Sequence, residues 1–395
     1  MPIASQRNGG DERATLYPPE LLPLFDDAFV ASWDLFEEYV ACLALKVFQS
    51  TGLEQACRQE VTVDQAIAGA GLAAEVARVP AAWVLAMLAS RGWIAGSVGA
   101  AGENRYRIER PLPVLDADEM REAQARHDPR CLPSYHIAAL AAEHYPAVLQ
   151  AQMTGEQALF GPEGISAWVK YFSNDNPLYA ISNAVGAIAA EQAVAGGEAA
   201  ILEIGGGLGS GAEALLDRFD TAGRATQISA YRFTEISALF LRRAQRTLAT
   251  RRPGYPLAFA PLDIDRPFTE ADVAKGAYSL VYGVNVLHVA RDLTVTLNEL
   301  RQALRPGGAV VMCECVRPFP TTSLHLELVF NLLSAFREPV LAPGWRPNGG
   351  FLTPEQWTAA LRANGFVDVR IFPDIAAIRD AYPSSVVAAI VARRP

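Results

Sequence analysis

The sequence predicts an α/β protein with a doubly wound sheet of seven strands in its C-terminal half, preceded by a mainly helical, winged-helix-like domain. After Gly196 and Gly197, short apolar segments alternate with helical patterns, which is typical of a parallel sheet with helices on both faces. The last two segments, 367–371 and 386–391, are expected to form an antiparallel hairpin at the sheet edge. Before residue 130, helical spacing followed by a strand-like segment at 104–108 predicts the winged-helix-like part.

These patterns divide the chain into four expected parts. They are a flexible tail over residues 1–20, a helical winged-helix-like domain over 21–130, a helical lid or linker over 131–195, and a ligand-binding domain over 196–395. A length of 395 residues is sufficient for two or three domains. The winged-helix-like domain is interpreted as a dimerisation or substrate-covering module rather than a DNA reader.

Composition and charge narrow the function classes. The chain is 51% hydrophobic and 19% charged, which suits a large core and not a disordered chain. A formal net charge of −9 disfavours nucleic-acid partners. Because no apolar run reaches about 18 residues, no membrane contact is expected. Five widely spaced cysteines indicate reduced thiols in a cytoplasmic protein, and Cys313 and Cys315 have no second pair with which to bind a metal.

A glycine-rich turn connects the predicted strand 199–204 to a helix. Glycines allow a tight turn and close ligand approach, and the N–H groups of a helix N-terminus favour an acceptor there. The glycine spacing also fits a dinucleotide fingerprint. Glu203 favours S-adenosylmethionine (SAM) instead, because its carboxylate can meet the ammonium group of SAM, which NAD lacks. In addition, no acidic residue stands about 20 residues after the turn. The predicted cofactor-binding glycines are Gly205, Gly207 and Gly209.

Two further carboxylates follow the next strand patterns. The predicted strand 227–233 leads to Glu235, which can accept hydrogen bonds from ribose hydroxyls; the alternative is a helix cap formed with Ser237. Asp263 follows the third strand pattern and can accept from the adenine amino group; the alternative is an ordinary turn aspartate. Both positions suit the cofactor crevice at the carboxyl ends of the strands.

A histidine and a glutamate are predicted to meet beside this crevice. His288 follows the fourth predicted strand, 278–282, and Glu314 ends the fifth, 309–314. Because neighbouring parallel strands share one carboxyl edge, we expect the two side chains to be hydrogen-bonded. A carboxylate on one ring nitrogen fixes the tautomer, and the other nitrogen can then take a proton from a methyl acceptor. The alternative is a loop histidine beside a solvated strand end.

These segments resemble the motifs of a known family. The run 203–209 is similar to the first motif of class I SAM-dependent methyltransferases, which have a Rossmann-like fold. Residues 231–237, 262–264, 285–293 and 306–314 are similar to consecutive motifs of the C-methylating domains of polyketide synthases. The resemblance implies SAM as the cofactor of a free-standing chain. It also adds Ile264 and Asn285 to the set of predicted cofactor-binding residues.

The resemblance also implies a base and an acceptor. In carbon-methylating members a His–Glu dyad deprotonates the α-carbon of a β-ketoacyl thioester, and these roles fall on His288 and Glu314. The family's helical lid region implies acceptor-site roles for three residues of this chain, Tyr171, Tyr179 and Asn183.

The segment after the fifth strand supplies further acceptor-site residues. Residues 317–350 are expected to form an inserted helix and a long loop over the pocket, with Phe330 and Trp345 as apolar walls or as simple core. His325 either faces the acceptor or lies on the surface. A deep apolar pocket favours a small apolar acceptor over a protein side chain.

The sequence therefore predicts a SAM-dependent methyltransferase of polyketide-like antibiotic or other secondary metabolism that methylates an activated carbon. One alternative is O-methylation of a hydroxyl or carboxyl of a small metabolite. Another is a SAM- or DNA-binding regulator without catalysis. The expected partners are a small-molecule acceptor, free or as an acyl chain on a carrier protein, and a second copy of the chain in a homodimer.

Overall fold

The computed structural model describes residues 9–100, 102–194 and 196–395, with side chains from residue 13 onward. The chain divides into two compact units. A helical unit comprises residues 31–171 and 321–338, and a sheet unit comprises the residues up to 30 together with 172–320 and 339–395. The expected boundaries differ in two respects. The predicted lid 131–195 is divided after residue 171, and part of the insertion, 321–338, belongs to the helical unit because its side chains pack there.

The helical unit contains a small antiparallel sheet. Its strands are β1 (Val61–Thr62), β2 (Ala95–Val98) and β3 (Asn104–Arg107), in the order β1-β3-β2. Thr62 also caps the next helix: its hydroxyl accepts the Gln65 N–H while the Gln65 side chain accepts the Thr62 N–H. Helices with a small sheet at this position agree with the predicted winged-helix-like arrangement.

Most of this unit is helical. Its helices, taken along the chain, are Asp27–Ser50, Leu53–Ala56, Val63–Gly69, Ala74–Ser90, Ala117–His127, Leu132–Leu149, Gly155–Phe160, Pro162–Tyr171, Glu327–Phe330 and Ser334–Arg337. Two buried hydrogen bonds join the inserted segment 321–338 to the helices Ala74–Ser90 and Leu132–Leu149 of this unit. The Trp83 indole N–H donates to the Leu324 carbonyl at 3.0 Å, and the Tyr145 hydroxyl donates to the Leu328 carbonyl at 2.7 Å.

Within the described residues no single helix has both the length and the apolarity needed to cross a membrane. The helices Val63–Gly69 and Ala74–Ser90 satisfy that test only as a pair, with a bend of 117° between them.

The sheet unit is built on seven strands in the order β6-β5-β4-β7-β8-β10-β9. The strands are β4 (Ala199–Glu203), β5 (Ile228–Thr234), β6 (Leu257–Ala260), β7 (Tyr278–Val284), β8 (Leu304–Cys315), β9 (Val367–Phe372) and β10 (Val387–Arg393). Strands β4 to β8 pair in parallel. Strand β10 pairs antiparallel with both β8 and β9, so the predicted antiparallel pair exists. Within it only β9 is an edge strand, because β10 lies between β8 and β9; the opposite edge of the sheet is β6.

The sheet unit also contains helices. They are Gly9–Leu16, Pro177–Ala193, Ser210–Thr221, Ala238–Arg251, Leu293–Ala303, Pro354–Ala363 and Ile375–Ile378. Gly186 allows Pro177–Ala193 to pack closely on the sheet, because a Cβ there would lie 2.9 Å from Cys313 Cβ and 3.2 Å from the Tyr282 hydroxyl. This close packing brings the helix over the carboxyl ends of β4, β7 and β8.

The predicted flexible tail over residues 1–20 is wrong for residues 9–20. Gly9–Leu16 is a helix, and the Tyr17 side chain after it is buried. The Tyr17 hydroxyl donates to Ser385 Oγ at 2.6 Å, and burial raises the pKa of Tyr17 to about 12. The polar composition of the segment gives no sign of this contact. The burial of one aromatic side chain, that of Tyr17, is enough to hold the segment in place. Residues 1–8 lie outside the described residues.

Candidate active site

The glycine loop after β4 is open on one side. Gly205, Gly207 and Gly209 all have positive φ, at 58°, 58° and 92°, a conformation that side chains oppose. A Cβ on Gly205 would lie 2.3 Å from Val286 Cγ2, whereas a Cβ on Gly207 would meet nothing within 4 Å. The loop therefore packs tightly at its start and presents free space at Gly207.

Glu235, just after β5, holds this loop. Its Oε2 accepts the Gly207 N–H at 2.9 Å, and its Oε1 accepts the Ser237 N–H at 2.8 Å. Burial raises the pKa of the Glu235 carboxyl, and these N–H groups oppose the rise. The helix-cap alternative is thus part of what Glu235 does, because Ser237 is the N-cap of Ala238–Arg251. The same carboxylate also fixes the glycine loop.

Glu203 is buried at the end of β4, with 1% of its surface exposed. Its Oε2 accepts the Tyr231 hydroxyl at 2.8 Å. Burial raises the pKa of Glu203 to about 8; the Tyr231 hydroxyl lowers it and the charge of Glu235 raises it. Tyr231 was not among the predicted site residues, although its position on β5 opposite β4 follows from the strand pattern.

Asn183 lies beside Glu203, on the helix Pro177–Ala193. Its Nδ2 donates to Asn174 Oδ1 at 2.8 Å, and its buried Oδ1 has no donor among the described residues. A Cβ on Gly211 would lie 3.6 Å from Asn183 Oδ1 and 3.3 Å from Glu203 Oε1. Asn183 Oδ1 and Glu203 Oε1 therefore both lie close to Gly211, in the first turn of the helix Ser210–Thr221. The sequence predicted Asn183 among the acceptor-binding residues, but its neighbours are those of the glycine loop.

His288 and Glu314 form a buried pair, as the strand order predicts. His288 follows β7, Glu314 lies near the end of β8, and their Nδ1 and Oε2 atoms are 2.7 Å apart. Both side chains are at most 2% exposed. The other oxygen of Glu314 accepts the N–H groups of Val286 at 2.9 Å and Leu287 at 2.6 Å. When Glu314 is the acceptor, Nδ1 carries the ring proton and Nε2 is the unprotonated ring nitrogen.

The backbone between β7 and this pair is strained at one residue. Asn285, a predicted cofactor-binding residue, has φ of 52°, which asparagine tolerates better than most residues. Its N–H donates to the Cys313 carbonyl at 2.7 Å. The ring of Phe351 lies 4.8 Å from that of His288. A tight turn and an aromatic ring thus limit where the imidazole can lie.

Asp263 and Ile264 lie on the loop after β6. Asp263 Oδ1 accepts the Asp265 N–H at 3.0 Å, so the turn alternative for Asp263 is observed. The Ile264 carbonyl accepts the Thr296 hydroxyl at 3.0 Å. The contact of Asp263 with the adenine amino group and the role of Ile264 in cofactor binding stay predictions.

The predicted acceptor residues are divided between the two units. Within the helical unit, Tyr171, His325 and Phe330 line one small apolar cavity together with Phe36 and Trp168.

The other predicted acceptor residues lie in the sheet unit. Tyr179 is buried and its ring lies 5.1 Å from that of Phe172. Burial raises the pKa of Tyr179, with the Ser210 side chain opposing the rise. Trp345 is half-buried in the insertion.

His325 is not on the surface, so that alternative is wrong. It is 4% exposed, and its ring stands edge-on to Trp33 and Phe36, with centroids 5.6 and 5.4 Å away. Burial lowers the pKa of His325 to about 4, so the ring is neutral at pH 7. Its burial depends on tertiary packing of the insertion, which local sequence does not reveal.

Arg346 was missed by the sequence analysis. Its side chain is fully buried and donates to the carbonyls of Ala290 at 2.8 Å and His288 at 3.3 Å. The insertion also contains Arg317 and Arg337, so its sequence does not distinguish Arg346 as the buried arginine.

Comparisons with known proteins identify a methyltransferase domain in this chain. Residues 202–310 match a family described as a methyltransferase domain. The highly reducing polyketide synthase FUM1 of Gibberella moniliformis is 27% identical over 322 residues, which cover 77% of this chain and 11% of that protein. The polyketide synthase ThaQ of Burkholderia thailandensis is 30% identical over 286 residues, which cover 69% and 13%. The chain spans between 6% and 13% of the length of the curated relatives it matches.

Two solved structures share the architecture over nearly the whole chain. The CurJ carbon methyltransferase matches with a TM-score of 0.77 and 22% identity, covering 97% of each chain. The DszA carbon methyltransferase matches with a TM-score of 0.72 and 21% identity, covering 100% of this chain and 98% of the other. At this level of identity the likeness shows the fold.

Proposed function

We propose that this chain, which carries a class I SAM-dependent methyltransferase domain related to those of polyketide synthases, methylates the α-carbon of a β-ketoacyl thioester. The observation that carries the proposal is the buried His288–Glu314 pair, which presents one ring nitrogen as a base. The names of two structures with this fold, both carbon methyltransferases, support carbon as the acceptor atom.

The residues around the glycine loop fit SAM. Glu203 Oε1 and Asn183 Oδ1, which both lie close to Gly211, would hold its ammonium group; the buried Asn183 Oδ1 has no donor among the described residues. The free space at Gly207 suits a ligand lying against the backbone. Each oxygen of Glu235 has a second lone pair for a ribose hydroxyl. When bound, SAM supplies an electrophilic methyl group.

His288 is proposed to be the general base. The α-carbon between a ketone and a thioester is acidic, and its C–H bond breaks as the proton moves to Nε2. Glu314 holds Nδ1–H and stabilises the imidazolium that forms. The electron pair left on the α-carbon would form the new C–C bond to the methyl group, while the bond from that methyl group to sulfur breaks and its electron pair stays on sulfur as a neutral thioether. Because both side chains are buried, water competes weakly for the proton.

The relatives support the acceptor class. The curated proteins with matching segments are polyketide synthases, whose growing chains are acyl thioesters. We propose that a carrier protein presents the thioester to this chain, with a small thioester mimic as the simplest substitute in solution.

The deciding experiment combines methyl-labelled SAM with two β-ketoacyl thioester mimics. One has a free α-CH₂ and the other carries two α-methyl groups. We expect label on the α-carbon of the first mimic, located by NMR, and no product from the second. Label on oxygen, or product from the blocked mimic, would contradict carbon methylation.

A second measurement isolates the proton step. Exchange of α-hydrogen for deuterium should be accelerated by the wild-type protein and not by His288→Ala. The exposed His127 provides a matched control, since His127→Gln should exchange like wild type. Equal exchange by His288→Ala and wild type would remove His288 from the role of base.

A further inference from the structure

Arg346 occupies a tight turn of the inserted segment. The Ala342 N–H donates to the Arg346 carbonyl at 2.9 Å, and the Arg346 N–H donates back to the Ala342 carbonyl at 2.6 Å. The Trp345 N–H donates to the same Ala342 carbonyl at 3.0 Å. This turn fixes the Arg346 backbone, and the side chain is 0% exposed. The position of the guanidinium is therefore limited both by the hydrogen-bonded turn of its backbone and by the burial of the side chain.

The guanidinium is hydrogen-bonded to the backbone of the turn that carries His288. Nη1 donates to the Ala290 carbonyl at 2.8 Å and Nη2 to the His288 carbonyl at 3.3 Å. Nearby, the Val340 N–H donates to the Arg291 carbonyl at 2.6 Å. The inserted segment thus holds the C-terminal side of the turn that carries His288.

Glu314 is hydrogen-bonded to the N-terminal side of the same turn. Its Oε1 accepts the N–H groups of Val286 and Leu287, while its Oε2 accepts from His288 Nδ1. The short 3₁₀ helix Leu287–Val289 is thereby bound through its N–H groups by an anion and through its carbonyls by a cation. Charged hydrogen bonds of this kind are stronger than neutral ones.

Burial of Arg346 is costly and needs a reason. No carboxylate lies within ion-pair distance of it in the described chain, and its Nε is buried without a partner there. Burial lowers the pKa of Arg346, and the charges of Asp265 and Asp292 oppose the change. An apolar side chain of similar length would fill the space without this desolvation, whereas only a guanidinium offers two donors in a fixed fork.

We propose that Arg346 is a positioning residue for His288. Its fork fixes the carbonyls of the turn, which keeps Nδ1 on Glu314 and directs Nε2 to the acceptor. The kinetic part of this inference rests on the proposed role of His288 as base. The effect on the imidazole itself does not depend on that role.

The variants Arg346→Met and Arg346→Lys test the proposal in the full chain. For Arg346→Met we expect kcat to fall about tenfold to a hundredfold, as small misplacements of a reacting group do. The SAM Kd and acceptor KM should stay within about twofold, since the substitution leaves the binding groups intact. Lysine keeps the charge but loses the fork and should be intermediate. Arg379→Met is the control, because Arg379 also donates to a backbone carbonyl, that of Pro318 at 2.9 Å.

The second readout is the ¹⁵N NMR spectrum of the His288 imidazole. Wild type should show one tautomer with the proton on Nδ1, and Arg346→Met should show a mixture or a broadened signal. Unchanged kcat and an unchanged spectrum would overturn the proposal. So would equal loss of kcat, SAM binding and melting temperature in both Arg346 variants, which is the pattern of a merely structural residue. If His288→Ala keeps full activity, the proposed function fails, whereas the NMR result still decides the effect of Arg346.

Discussion

The hydroxyl of Tyr231 donates a 2.8 Å hydrogen bond to Glu203, from the neighbouring strand of the parallel sheet. This bond stabilises the ionised form of a carboxyl whose pKa burial raises to about 8. In the protein without SAM, Glu203 is therefore mostly protonated at pH 7. A cationic ligand favours the ionised form, so ligand binding and proton release are linked.

The first prediction is that SAM binds more tightly as pH rises from 6 to about 7.5, a range in which the α-ammonium group of SAM keeps its proton. The sign follows from the raised pKa: below about 8 the carboxyl must lose a proton to pair with the ammonium group. Affinity should rise by up to about tenfold per pH unit in this range. Titration calorimetry at several pH values measures it. Glu203→Gln should bind weakly with little pH dependence, and Tyr231→Phe should move the rise to higher pH. The exposed Glu198→Gln is the control, and a pH-independent wild type would contradict the linkage.

The second prediction concerns the base. His288→Ala should lose at least about a hundredfold in kcat, since general-base catalysis contributes that much. The SAM Kd should stay near that of wild type, because the proposed contacts with SAM are made by Glu203, Asn183 and Glu235 and not by the imidazole. Steady-state kinetics and calorimetry on one preparation measure both quantities, with His127→Gln alongside. An equal loss of SAM affinity would contradict the role of base and would show that His288 is needed for the structure of the binding site.

The third prediction is that Glu314→Gln costs both stability and activity. The substituted amide keeps one oxygen but loses the charge that three donors now share. Unfolding free energy should fall by about 1–3 kcal/mol. Because the pair acts as one unit, the double variant with His288→Gln should have nearly the kcat of the single His288→Gln variant. Denaturant titration and kinetics of all four proteins form the cycle. Simple additivity of the kcat losses would show that the two residues act separately.

The fourth prediction uses two glycines with similar backbones. Gly207 and Gly223 have φ of 58° and 66°, and a Cβ on either meets nothing within 4 Å. Alanine should therefore cost each variant about 1 kcal/mol of stability. Only Gly207→Ala should also weaken SAM binding, because its methyl group occupies the proposed donor space. Equal SAM affinity of the two variants would place the donor elsewhere.

The sequence predicts the sheet and the His288–Glu314 pair because both follow from strand order. Once two parallel strands are adjacent, residues at their carboxyl ends must lie close together, whatever the loops do. Residues 305–308, Arg-Pro-Gly-Gly, have the composition of a turn and show the limit of such local rules. There Tyr278 pairs with Leu304 and Leu280 with Ala309, so the segment forms a bulge within β8 rather than a turn before it.

Side chains whose neighbours come from distant segments are not predictable in the same way. Helical periodicity indicates that Asn183 is buried, but not that Glu203 lies opposite it. His325, Tyr17 and Arg346 are polar or amphipathic residues in segments without a clear pattern. Their burial is decided by packing against residues far away in the sequence, which no local window contains.

The path of the chain has a practical consequence. It passes between the two units four times, at 30–31, 171–172, 320–321 and 338–339. A fragment starting at residue 172 would keep every strand of the large sheet. However, it would also retain 321–338 without Trp83 and Tyr145, whose hydrogen bonds and packing now cover that segment. Anyone shortening this protein, or grafting it onto another polypeptide, should therefore transfer it whole or excise the insertion as well.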